Sequence, residues 1–343
     1  MNYVNDKFQQ SFEIVAEKFL SKIRFGEIIV TFPSGVTKSF KGTNGDEIAD
    51  LKLHNYKFIS KIIKRKSIGF AESYMDGDFS TSDLTKLLLI SYKNEKYFLH
   101  NLKSNIFFNV YSKFKHFLNE NTKKQSKKNI EYHYDLGNSF YDKWLDQSMT
   151  YSSAYFEKDN QNLFDAQINK YKQIADSLNL NENSKVLEIG CGWGGFADRL
   201  AQRTKAKLTA TTISDRQFEY AQNRIQKNGF EDRISIIKKD YRDLVGQFDR
   251  IVSIEMIEAV GHEFLPSYFS QISDLLLPNG AAMIQGITMP DHRYTQYLKE
   301  VDYIRTRVFP GSCVPSASAM IAAAVKDSDL RPADLHDLSL IHI

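Results

Sequence analysis

The 343-residue sequence predicts an α/β fold: a parallel sheet wound with helices, preceded by a smaller α+β unit. Three observations carry this. From about residue 163, short apolar runs alternate with amphipathic helical patterns, as in β-α-β units. The first of those runs leads into a glycine-rich turn, VLEIGCGWGG (186–195), with a helical pattern behind it. Ahead of both, the texture breaks at a polar, basic stretch, NENTKKQSKKN (119–129). The expected boundaries are therefore 1–120 for an N-terminal α+β domain, 121–129 for a basic linker and 130–343 for the larger domain.

The elements follow in order. FEIVAEKFLSKI (12–23) has helical spacing. EIIVTFPSGVTKSFKG (27–42) reads as two strands joined at Pro33-Ser34-Gly35, a hairpin. The stretch from Lys66 to Asn94 ends in a helix whose cap falls near Ser82 or Asp83. In the second domain the helix LFDAQINKYKQIADSL (163–178) precedes the strands KVLEI, KLTATTI, ISIIKKD, DRIVSIE and AAMIQGIT. Ligands of such sheets bind outside the carboxyl ends of the strands, near the switch point, so the loops after each strand are where chemistry is expected.

Composition narrows the classes. Apolar residues make up 42% and charged residues 25%, as in soluble globular chains. No apolar run reaches the ~18–20 residues that span a bilayer, and MNYVNDKFQQ lacks a signal-peptide apolar region. Cys191 and Cys313 form no disulfide framework and have no metal-ligand spacing, which points to a reducing cytoplasm and to no metal. Residues 1–130 hold 22 Lys and Arg against 13 Asp and Glu, a net +9, which leaves −6 for residues 131–343. The densest clusters are KIIKRK (61–66) and KKQSKK (123–128). Such a basic half suits an anionic membrane surface as well as plain solubility. Nucleic acid is disfavoured, because no binding motif accompanies the charge.

Gly190-Cys191-Gly192-Trp193-Gly194-Gly195 satisfies the dinucleotide pattern G-x-G-x-x-G. A nicotinamide site also needs an acid about 20 residues on, ending the second strand; here that strand ends in Ala210-Thr211-Thr212-Ile213. Glu188, two residues before the turn, would repel a pyrophosphate. S-adenosylmethionine removes the second conflict, since it carries an ammonium, a sulfonium and a carboxylate but no phosphate. Glu188 would face the ammonium and the next helix N-terminus the carboxylate. Gly190 and Gly192 would let the backbone approach closely.

Residues 130–340 resemble the cyclopropane-fatty-acyl-phospholipid synthases, relatives of the mycolic acid cyclopropane synthases. The motifs are HYDLGN (133–138), MTYSSAYF (149–156), VLEIGCGWGG, TTISDRQ (211–217), KKDYRDL (238–244), FDRIVSIEMIEAVG (248–261) and FPGSCVPS (309–316). IGFAESYMDGDF (68–79) resembles the smaller domain ahead of the catalytic domain in the bacterial phospholipid enzymes. The resemblance implies a Rossmann-like class I S-adenosylmethionine-dependent methyltransferase sheet. It implies cofactor contacts from Tyr151, Ser152, Gly190 and Gly192. Thr212, Ile213 and Gln217 would lie on the ribose and adenine side, and Asp240, Tyr241 and Arg242 would enclose the adenine.

The reaction implied is attack of a lipid double bond on the donor's methyl carbon. A base then removes a methyl proton so that a ring closes, with water kept out. The family is understood to use bound bicarbonate as that base. Carried over, Glu258 matches its glutamate, Ser153 stands where many members have cysteine, Gln285 where some have histidine, and Ile287 would offer its backbone amide. Serine and glutamine can still bond an anion. Glu258 would have to be protonated or bridged to a donor. His262 reads as a surface histidine.

The resemblance also implies a Tyr-containing segment and a final strand after LHDLSLIHI, so the sheet is expected to be truncated at its C-terminal end, with lower stability and activity. The implied partner is unsaturated phospholipid in membranes, with peripheral contact at the inner face, and a homodimer is left open. The competing readings are methylation of a small-molecule amine, and a non-catalytic S-adenosylmethionine- or lipid-binding fragment.

Overall fold

The structure, a computed structural model, describes residues 13–99 and 137–338 and, between them, 121, 123, 125, 126, 129 and 130. MNYVNDKFQQ, residues 133–136 of HYDLGN and three lysines of KKQSKK (Lys124, Lys127, Lys128) lie outside the described residues. Two compact units divide the chain, Met1–Lys115 and His116–Ile343.

In the first unit a helix over residues 13–20 (α1) precedes strands β1 (Phe25–Thr31), β2 (Thr37–Lys41) and β3 (Asn44–Leu53). β1 and β2 form the expected hairpin, with Gly35 at φ +87° in its turn. β3 pairs parallel to β1, and a two-residue β4 (Phe79–Ser80) completes the order β2-β1-β3-β4. Every second residue of β1 is buried, and Ile28 and Val30 anchor a core with Leu51, Phe58, Leu87 and Ile90. Helix α2 (Lys57–Met75) is broken at Lys66, whose φ of +50° is left-handed. Helix α3 (Leu84–Lys93) starts where expected, the Asp83 carboxylate accepting from the Lys86 amide at 2.9 Å, and the short α4 (Glu95–Leu99) follows it. The KIIKRK cluster sits on α2, and part of it is spent internally. Lys61 pairs with Asp76 (2.6 Å) and Asp78 (2.5 Å), and Arg65 pairs with Glu72.

The second unit holds five parallel strands in the order β7-β6-β5-β8-β9 among the described residues: β5 (Lys185–Ile189), β6 (Lys207–Thr212), β7 (Ile234–Lys238), β8 (Phe248–Ile254) and β9 (Leu276–Gln285). All five coincide with the apolar runs read from the sequence. Order reverses between β5 and β8, so the switch point lies at the carboxyl ends of those two strands. Neighbouring residues of β5 face opposite cores. Val186 packs with Ile174, Leu200 and Ile225 of α5 (Leu163–Ser177), α6 (Gly195–Arg203) and α7 (Asp215–Lys227). Leu187 packs with Tyr268 and Ile272 of α8 (Leu265–Leu275) and with Ala323 of the helix Ala317–Lys326. This two-faced burial makes the strands read as continuous apolar runs.

The linker expectation is corrected. The described residues of 121–129 belong to the second unit, and Asn121, Ser126 and Asn129 are buried. Asn129 donates to the Asn121 side chain, which donates to the Gly311 carbonyl, both at 2.8 Å. Lys123 pairs with Asp243. The polar side chains that resemble a solvated linker are satisfied by one another and by distant backbone.

Candidate active site

Glu188 opens the site. Alternation along β5 turns it inward, where it is 2% exposed, and burial pushes its carboxyl up to about 8. Its Oε2 is shielded from solvent and has no hydrogen-bond partner among the described residues. Such an atom costs stability unless something pairs with it.

The glycines behind it divide into two roles. Gly190 (φ +84°) cannot carry a Cβ, because one would stand 2.8 Å from Met256 Cγ. What a Cβ there would meet is the protein's own Met256 side chain. Gly194 and Gly195 likewise let Ala221, Tyr171 and Thr150 approach. Gly192 (φ +53°) differs, since a Cβ there would meet nothing within 4 Å among the described residues. A partnerless buried carboxyl and an open face over Gly192 fit S-adenosylmethionine, with its ammonium for Glu188 and its carboxylate for the α6 N-terminus.

The remaining cofactor candidates are tied into the fold. The Tyr151 ring packs 5.3 Å from Trp144 and 5.6 Å from Tyr141, and burial pushes its hydroxyl up. The Ser152 hydroxyl accepts from Lys170 Nζ at 2.6 Å and its carbonyl from Gln167 at 2.8 Å, so that hydroxyl is engaged by the protein. Thr212 donates to Gln217 at 2.9 Å, and both are buried beside half-buried Ile213, fixing the turn into α7. Asp240 grips Arg242 through two side-chain bonds of 2.8 and 2.6 Å, and Arg242 reaches the Asn121 carbonyl at 2.8 Å. Tyr241 packs edge-on to Tyr268, 5.3 Å away. Asp240 and Arg242 thus hold the 121–129 segment.

The β8 end gathers the catalytic candidates. Ser153 donates through its amide and its hydroxyl to Glu255 Oε1, both at 2.8 Å. Gln285, ending β9, donates to the same oxygen at 3.0 Å and to Ser153 Oγ at 2.9 Å. The Ile287 amide donates to Glu258 Oε1, and Glu258 Oε2 is buried without a partner among the described residues. Burial, reinforced by the nearby Glu255 charge, pushes Glu258 up to about 7. Two of the four expected residues, Ser153 and Gln285, therefore converge on a carboxylate that sequence reasoning passed over, while Ile287 and Glu258 bond each other. Glu255 lies three residues before Glu258 in the same motif, and that adjacency was the available signal. Lys170, 2% exposed and pushed down to about 7 by burial, was also missed. With Gln167 one turn earlier on α5, it pins the Ser152–Ser153 backbone. His262, expected on the surface, is half-buried and bonds Tyr294 at 2.8 Å.

Bicarbonate does not fit these residues. The donors that would hold it are already directed at Glu255 and Glu258, and a further anion would lie among carboxylates.

The family profile described as mycolic acid cyclopropane synthetase matches residues 121–342. The chain belongs to this family. A domain of unknown function matches residues 15–103. The chain is 35% identical over 300 residues to tuberculostearic acid methyltransferase UfaA1 of Mycobacterium tuberculosis, covering 84% of this chain and 69% of that protein. It is also 35% identical to the cyclopropane-fatty-acyl-phospholipid synthase of Escherichia coli K12, covering 80% and 69%. Among solved structures it resembles mycolic acid cyclopropane synthase CmaA1 complexed with SAH and CTAB, at 29% identity and a TM-score of 0.54 over 59% of this chain and 74% of that one. Like its family, the chain is an S-adenosylmethionine-dependent transferase with the class I methyltransferase fold.

Proposed function

We propose that the enzyme transfers a one-carbon unit from S-adenosylmethionine to the double bond of an unsaturated phospholipid acyl chain, closing a cyclopropane ring. The observation that carries this reading is the pairing of two strand ends at the switch point. The β5 end offers a buried, partnerless carboxyl beside an open glycine, and the β8 end offers two carboxyl groups among donors. The first suits a cationic methyl donor, and the second suits removal of a proton.

When bound, the cofactor supplies a sulfonium-activated methyl group, strong enough for a weak alkene nucleophile. Glu188 orients its ammonium. Tyr151, with Trp144 and Phe309 around it, walls off water from the reacting carbon. Lys170 holds the Ser152–Ser153 backbone against Glu255. The acceptor is inferred from the relatives' named substrates, and the net +9 of residues 1–130 supports attraction to an anionic membrane. Among the described residues no helix is long and apolar enough to cross one.

Simple methylation is the second reading, favoured by the equal identity to the tuberculostearic acid methyltransferase. One assay separates them. The protein is incubated with methyl-labelled cofactor and vesicles of unsaturated anionic phospholipid, and the acyl chains are analysed by mass spectrometry. A gain of one methylene that resists hydrogenation identifies the ring, and a gain with a surviving or reduced double bond identifies methylation. Label appearing only on a soluble amine, or no transfer, refutes both.

A further inference from the structure

We propose that Glu255 is the proton acceptor of this enzyme, a side chain doing what the resemblance assigns to a bound bicarbonate. The proposal rests on the lipid-alkene reading above and deepens it.

Three observations carry it. First, Ser153 and Gln285, two of the residues expected to cradle an anion, turn their donors to one carboxylate oxygen. The Ser153 amide, the Ser153 hydroxyl and the Gln285 amide group reach Glu255 Oε1 at 2.8, 2.8 and 3.0 Å. Oε2 of the same group makes no hydrogen bond among the described residues, which leaves one oxygen for a proton. Second, the backbone is strained to put it there. Glu255 has φ +48°, a region that costs a residue with a Cβ on the order of 1 kcal/mol and that concentrates at functional sites. Its amide donates to the Gln285 carbonyl at 2.8 Å, so the strand end itself enforces the conformation. Third, Glu258 is the weaker candidate. Its Oε1 is taken by Ile287, and burial leaves it partly protonated near neutrality.

The step balances without an external base. The alkene π pair bonds to the methyl carbon, the S–C bond breaks with its pair to sulfur, and the neighbouring alkene carbon is left positive. Glu255 Oε2 takes a proton from the new methyl group, and the released C–H pair closes the ring. The neutral acid then returns its proton to solvent. A proton beside a cationic carbon is so acidic that position, more than base strength, limits its removal.

The test compares wild type, Glu255→Gln and Glu255→Gly in carbon-dioxide-free buffer, with and without added bicarbonate or formate. Glycine suits φ +48° and unmasks the Ser153 and Gln285 donors. Wild-type ring formation should change less than about twofold with bicarbonate, whereas both variants should lose about 100-fold or more. Added anion should restore at least about tenfold of that to Glu255→Gly and none to Glu255→Gln. Cofactor affinity within about threefold of wild type, by calorimetry, confirms that the variants fold. As a readout apart from turnover, the ¹³C resonance of labelled bicarbonate should broaden with Glu255→Gly and not with wild type. Wild-type turnover that requires bicarbonate, or wild-type broadening, overturns the proposal. So does a Glu255→Gly variant fully active without anion. Failure of wild type to label any lipid would instead refute the substrate reading, and the resonance comparison would still decide whether Glu255 occupies the anion's donors.

Discussion

Glu188 and Glu255 stand at the ends of adjacent strands, yet their surroundings are opposite. Among the described residues nothing bonds to the buried Glu188 Oε2, whereas Glu255 Oε1 accepts three hydrogen bonds. A carboxyl left without partners in the core is incomplete on its own and awaits a cation. A carboxylate with its donors supplied by the chain is already positioned. The contrast teaches that one end of the site is finished by its ligand and the other by the protein.

The largest effect that could break this comparison is on cofactor affinity. Replacing Glu188 with glutamine removes one partner of a buried ion pair, worth about 3–5 kcal/mol. S-adenosylmethionine binding measured by calorimetry should therefore weaken by about 100-fold or more. Glu255→Gln should leave it nearly unchanged, and the reverse result would exchange the two roles.

The glycines sharpen the same division. Gly190→Ala combines a positive φ with a Cβ 2.8 Å from Met256 Cγ, and should cost about 2–4 kcal/mol of stability in a denaturant titration. Gly192→Ala should cost only about 1 kcal/mol. Its Cβ enters open space, so that variant should lose cofactor affinity out of proportion to stability.

A further consequence is pH dependence. Burial raises Glu188 to about 8, so in the free protein it holds a proton below that pH and must release it to pair with an ammonium. Cofactor affinity should fall by about tenfold for each pH unit below about 8. In Glu188→Gln that slope should vanish. Without cofactor the sign reverses: a raised carboxyl contributes stability that is lost as pH rises through about 8.

Much of this was legible in the sequence. The five strands of the second unit are apolar runs because helices cover both sheet faces, and such runs are read easily. Strand β3 was not, because Asp46, Glu47, Asp50 and Lys52 give it the look of a loop while Ala49, Leu51 and Leu53 alternate into the core. In the site, Ser153 and Glu258 lie within the motifs that carry the resemblance, whereas Gln285 and Ile287 were legible only by position against the family. Glu255 was overlooked because its significance depends on a partner 102 residues away and on a left-handed φ, neither of which one motif displays. The 121–129 stretch misled for the same reason: asparagine looks solvated until its distant partner is known.

That stretch also bears on the order in which the molecule is built. Asn121 bonds to Gly311, 190 residues downstream, and Arg242, which grips the Asn121 carbonyl, comes 121 residues later. Contacts of such separation close late. During synthesis the segment emerges long before anything it can dock on, and must wait in water. Serine, lysine and asparagine tolerate that wait where an apolar strap would invite aggregation. Its hydrophilic composition then records its history on the ribosome, while its burial records its destination.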